Sequence, residues 1–342
     1  MKQNDLLFDY LDTNPPAGEY PLDELTRKRI LQDALSKAGI RSRKTIRPKR
    51  LWTLLVAAVF ALCCVTAAAS EHFRLDNAFV QWLGSPAQAQ VEQLESSGAV
   101  IGQSSTADDI TITMEGTVGD RNSAYIFFTV QLPEAYEIPA PTYGDTTWFW
   151  FNSYSLHTES SGSQGYRVEM LSQEENTLRF FLSLDNSKTL TGETIELTLS
   201  NLNVIVGNDS KPVAEGPWDF TFPMEHQDNS VEIPFSGRIL PVEDTGLRLK
   251  EVRVSPISLR LEFARPLSML WKQEKRSIGE LLDLPISLHF ADGSVISEEM
   301  MVDSSVSAQG FSVELIRKYR RLIDTKEMTG ISLGEIFIPV QA

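Results

Sequence analysis

Apolar positions change period three times along the 342 residues. Leu51 to Ala69 is a continuous apolar run of 19 residues with no charge, glycine or proline. At about 1.5 Å per helical residue it covers about 28 Å, close to the ~30 Å hydrocarbon core of a bilayer. From Asp109 the period becomes two: Ile110, Ile112 and Met114 alternate with Thr111, Thr113 and Glu115, a strand pattern. Before the run the spacing is helical. Leu31, Leu35 and Ala38 follow i, i+4, i+7 within a helix predicted over about 22–38, capped by Asp23 and stopped by Gly39. A shorter helix is predicted over Asn4 to Leu11, broken by Thr13 to Gly18.

The apolar run is read as a retained transmembrane helix. Arg41, Arg43, Lys44, Arg47, Lys49 and Arg50 precede it without an intervening acid, and positive flanks stay cytoplasmic. Trp52 sits at its edge, where an indole suits the headgroup layer. Ala67-Ala68-Ala69 resembles a cleavage site, but the run exceeds the about 7–15 residues of a signal peptide's apolar region. The charged region ahead of it is also too long for one. The expected topology is single-pass in the cell membrane, N-terminus cytoplasmic and C-terminus extracellular.

Beyond the run, helical composition over 76–82 and 87–94 suggests a stalk with short helices, residues 70–106. Strands are then predicted at 110–114, 125–130, 147–152, 166–171, 177–184, 193–206 and 218–223, with turns between them. A second series runs through 231–235, 247–254, 257–263, 285–290, 311–316 and 331–338. Asp292-Gly293 marks a hairpin, and a short helix is predicted over 268–282. The fold class is mainly β: two antiparallel sandwich-like units, 107–226 and 227–342, divided at the polar stretch His226 to Asn229. One transmembrane helix, 51–69, and a short helical tail, 1–50, precede them.

Charge sharpens the division. The chain carries −15 overall, yet residues 1–50 hold 11 Lys+Arg against 7 Asp+Glu, leaving 20 against 39 beyond them. An acidic outer portion does not suit nucleic-acid binding, and no nucleic-acid partner is expected. The basic cluster suits an anionic inner leaflet. Cys63 and Cys64 are the only cysteines, both inside the apolar run, so the outer portion has no disulfides and depends on a hydrophobic core.

Catalytic chemistry has no visible carrier. His72, His157, His226 and His289 are far apart in sequence, and no Cys/His zinc spacing occurs. The acidic pairs Asp108-Asp109, Glu174-Glu175 and Glu298-Glu299 read as solvated loop charges. No catalytic residue, metal or cofactor is expected, and the protein is not read as an enzyme. Thr147-Trp148-Phe149-Trp150-Phe151 stands out: Trp148 and Trp150 are a candidate platform for an unknown extracellular ligand. The alternative, which the unbroken apolarity fits better, is a strand buried on both faces.

RLDNAFVQWLG at 74–84, DDITITMEGTVGDRNSAYIFFTVQLP at 108–133 and LKEVRVSPISLRLEF at 249–263, with the Ser255-Pro256-Ile257-Ser258 turn, resemble a family. It is that of anti-sigma-factor-like membrane proteins of Gram-positive bacteria, with an uncharacterised β-rich ectodomain. The resemblance implies a signal-transducing regulator whose tail holds a sigma factor until an outside signal releases it. Zinc-type anti-sigma domains carry a His and Cys-X-X-Cys set, which residues 1–50 lack. Sigma binding would then fall to the amphipathic helices, through Leu6, Leu7, Tyr10, Leu11, Leu31 and Leu35. The alternative is a surface-anchored binding or scaffolding module with an inert tail.

Overall fold

Ile110, Ile112 and Met114 enter one hydrophobic core and Val118 enters another, although all four lie on one strand. The computed structural model explains this division. It describes residues 73–141, 147–160, 162–206, 208–234, 240–241, 247–265 and 280–340, all within one compact unit. The expected tail and membrane span, and nearly all of the helix expected over 268–282, lie outside those residues. Among the described residues no helix is long and apolar enough to cross a membrane.

The first nine strands are β1 Ala99–Ala107, β2 Ile110–Gly119, β3 Ser123–Gln131, β4 Phe149–Thr158, β5 Gln164–Glu174, β6 Thr177–Asn186, β7 Thr194–Val206, β8 Asp209–Ala214 and β9 Trp218–Pro223. They make two antiparallel sheets, β1-β2-β3-β6-β5 and β4-β7-β8, with β9 also on β7. The sheets close on a shared core that includes Phe128, Phe180, Phe151 and Trp218. This is a sandwich, in which alternate residues of each strand face inward.

A one-residue bulge gives β2 its two allegiances. Met114 pairs with Phe128 but Gly116 pairs with Phe127, so the faces exchange at Glu115. Beyond it, Val118 joins Tyr125, Phe127 and Phe181 on the outer face of the five-stranded sheet. That face is covered by two helices, α1 Asn77–Trp82 and α2 Gln88–Ser97. Phe79, Leu83, Val91 and Leu94 of this segment are buried against it. Asp76 caps α1, its carboxylate accepting from the Ala78 N–H at 2.7 Å. The stretch expected as a stalk is thus packed onto the sheet, and residues 99–107 are its edge strand. The physical reason is the apolar residues on both faces of β3 and β6, which need a cover on each side.

The second series is β10 Val231–Glu232, β11 Leu240–Pro241, β12 Arg248–Val254, β13 Ser258–Ala264, β14 Ile286–Phe290, β15 Val295–Ile296, β16 Met301–Gln309, β17 Ser312–Tyr319, β18 Met328–Leu333 and β19 Ile336–Pro339. One sheet runs β10-β12-β13-β17-β16, with β11 on β12; the other runs β15-β14-β18-β19. Leu261, Phe263, Leu315, Leu288 and Ile331 are among the residues between them. The hairpin at Asp292-Gly293 joins β14 to β15, with Gly293 at φ +82°. The single strand expected over 331–338 is a hairpin of two, turning at Gly334 with φ +58°. The two cores lie on either side of 226–229, and Ile257 and Leu322 of the second series join the core under α1.

Candidate ligand-binding groove

The strand pattern of β4 decides what its aromatic run does. Phe149 and Phe151 are 2% and 3% exposed, whereas Trp148 and Trp150 are 51% and 40% exposed. The strand is therefore not buried on both faces, which corrects the reading that its apolarity favoured. Its phenylalanines fill the core, and its indoles stand on the other face. The Trp150 indole N–H donates to Ser210 Oγ at 3.3 Å, and the Trp148 carbonyl accepts from the Ile205 N–H at 2.9 Å.

Both tryptophans line an open groove of about 600 Å³ between β4, β5 and α1. Trp82 enters from α1, stacked on Phe79 with ring centroids 5.3 Å apart and planes 14° apart. Arg320, just past β17, places its guanidinium 5.5 Å from the centre of the Trp82 ring. Gln81 and Glu169 supply further polar groups, and Glu169 is paired with Arg167. Arg320 also lines a second cavity of about 790 Å³, walled by the α1–α2 turn, with Gln90, Glu299 and Arg321.

Behind the groove lies a buried polar junction between the two sandwiches. Lys318 Nζ meets Asp185 Oδ1 at 2.8 Å and donates to Ser183 Oγ at 2.6 Å and to the Leu184 carbonyl at 3.2 Å. It lies 5.2 Å from the centre of the Tyr125 ring. Burial raises the Asp185 carboxyl above its ordinary range, against the opposing pull of Lys318. Burial likewise raises the Tyr125 hydroxyl. The Asp120 carboxylate accepts from the Ser255 and Ser258 hydroxyls at 2.5 and 2.6 Å and from the Asn122 and Ser123 N–H groups at 2.8 Å. The Ser255-Pro256-Ile257-Ser258 turn thus docks on the Gly119–Asn122 turn. His226 Nε2–H donates to the Asp120 carbonyl at 2.9 Å, and burial lowers its pKa.

Leu6, Leu7, Tyr10, Leu11, Leu31 and Leu35 lie outside the described residues. Asp108-Asp109 and Glu174-Glu175 fall at strand turns; Glu298 pairs with Arg317 at 3.3 Å. Among the described residues no group of three His, Cys, Asp or Glu side chains is arranged to hold a metal ion. Sequence reasoning missed Trp82 and Arg320, which reach the groove from segments 66 and 172 residues away from Trp148. No local spacing signals such a meeting.

The sequence matches no protein-family model and no curated protein. Among solved structures, the chain is similar to the conserved domain protein from Bacillus anthracis at 13% identity and a TM-score of 0.45, covering 68% of this chain and 75% of that one. It is also similar to the N-terminal periplasmic domain of ScsB from Proteus mirabilis at 9% identity and a TM-score of 0.20, covering 70% and 95%.

Proposed function

We propose that the protein is a single-pass membrane regulator of the anti-sigma kind. Residues 1–50 face the cytoplasm, 51–69 cross the bilayer, and the β-rich body outside senses an envelope condition. The observation that supports this is the six-cation, acid-free stretch 41–50 set directly against nineteen apolar residues. Fifty tail residues with two short amphipathic helices bury little apolar surface alone, so Leu6, Leu7, Tyr10, Leu11, Leu31 and Leu35 want a partner. A sigma factor held there is kept at the membrane, away from the promoter.

The test is capture of a sigma factor by the full chain, extracted in detergent from cells that make it and read by mass spectrometry. Leu31→Asp with Leu35→Asp is expected to lower recovery at least tenfold. Recovery that is unchanged removes that helix face from the reading. The exposed Trp148 and Trp150 favour a second reading, a surface-anchored binding module with an inert tail. It stands if no sigma factor is recovered with the unmodified chain.

A further inference from the structure

We propose that the groove beside Trp148 and Trp150 binds a carboxylate-bearing saccharide, an inference that rests on the outward placement of the β-rich body. Two residues along a strand span about 6.6 Å, so the two indoles stand in series on one face. The hydrogen bond to Ser210 holds the Trp150 ring in place before any ligand arrives, which reduces the ordering needed on binding. A sugar ring presents C–H bonds on its faces and hydroxyls around its rim. The indoles suit the faces, and the planar polar groups of Gln81 and Glu169 suit the rim. An acyl chain would call for an enclosed apolar cavity, whereas this groove is open and edged by charge. Its volume of about 600 Å³ falls within the range of about 300–1,000 Å³ typical of small-molecule sites.

Arg320 specifies the acid. Among the described residues no carboxylate pairs with it, although acids outnumber bases in this part of the chain. Its guanidinium rests near the Trp82 ring rather than on a counter-ion. A guanidinium placed this way offers a planar fork of donors that fits a ligand carboxylate.

The test is calorimetric titration of the full chain, in nanodiscs of zwitterionic lipid, with tri-galacturonic acid and with neutral cellotriose. The acidic trisaccharide is expected to bind saturably, at least tenfold tighter than the neutral one. Trp148→Ala and Trp150→Ala should each weaken it at least tenfold. Arg320→Ala should erase the preference for acid, with the far-ultraviolet circular dichroism of all three variants unchanged. The proposal is overturned by absence of binding at millimolar acidic sugar, by undiminished affinity in the tryptophan variants, or by these residues responding only when nanodiscs of phosphatidylglycerol replace the zwitterionic ones. Sigma-factor capture plays no part in the measurement, so this proposal and the regulator reading fail separately.

Discussion

Lys318 Nζ, on the second sandwich, lies 2.8 Å from Asp185 Oδ1, on the first, and both side chains are shut from solvent. Removing one partner leaves the other charge buried and alone. Lys318→Met is therefore expected to lower stability by about 3–5 kcal/mol. Adding Asp185→Leu should restore most of the loss, because a buried ion pair adds little over well-packed apolar groups. Urea unfolding of the single and double variants measures both values. A loss in the double variant equal to the sum of the two single losses would show that the pair is not energetically coupled.

His226 makes the junction sensitive to acid. Its Nε2–H is committed to the Asp120 carbonyl, and among the described residues Nδ1 has no partner. A proton added at Nδ1 would place a buried charge with nothing to receive it. The folded pKa is lowered from the ordinary 6.5, so the neutral ring's contribution is present above about pH 6.5 and is lost as pH falls toward the folded value. Unfolding free energy is expected to drop as pH falls below about 6.5, by at most about 1.4 kcal/mol per pH unit from this group. His226→Asn should flatten that part of the profile.

The two faces of β4 should respond oppositely to truncation. Phe151→Ala, in the core, is expected to cost about 3–5 kcal/mol. Trp150→Ala, on the open face, should change stability by about 1 kcal/mol or less, the loss being some exposed apolar contact and one hydrogen bond. Thermal unfolding of both variants distinguishes a two-faced strand from one buried throughout.

Gly116 tests the cover over the outer face. A Cβ there would stand 2.4 Å from the Phe73 ring and 2.6 Å from the Ala99 carbonyl. The ring could shift, but the carbonyl belongs to the paired backbone of β1. Gly116→Ala is expected to destabilise by about 1–3 kcal/mol through overpacking, measured by denaturant unfolding.

Strands with one buried face were legible because alternation survives in their residues, as in β2 and β9. Three others were not. β1, AVIGQSSTA, and β16, MVDSSVSAQ, are half-exposed edge strands that carry few large apolar side chains; β8, DSKPVA, is short and mostly exposed. The C-terminal half of β17 was hidden for the opposite reason. Arg317 and Lys318 read as surface residues, yet Arg317 donates to the carbonyls of Leu282 and Leu284, at 3.0 and 2.8 Å, and Lys318 pairs with Asp185. Partners that distant leave no trace in local periodicity. The aromatic run was visible as a candidate site, but its orientation followed from pairing with β7, which a run of four aromatic letters does not encode.

The bulge at Glu115 makes the frame of pairing, rather than side-chain chemistry, the variable that β2 cannot change. Pairing Glu115 regularly with Phe127 at unchanged chain length would turn Val118 toward the inner core, and the helices would lose a contact. A frame slip there has no local remedy, because it exchanges the two faces of half a strand at once.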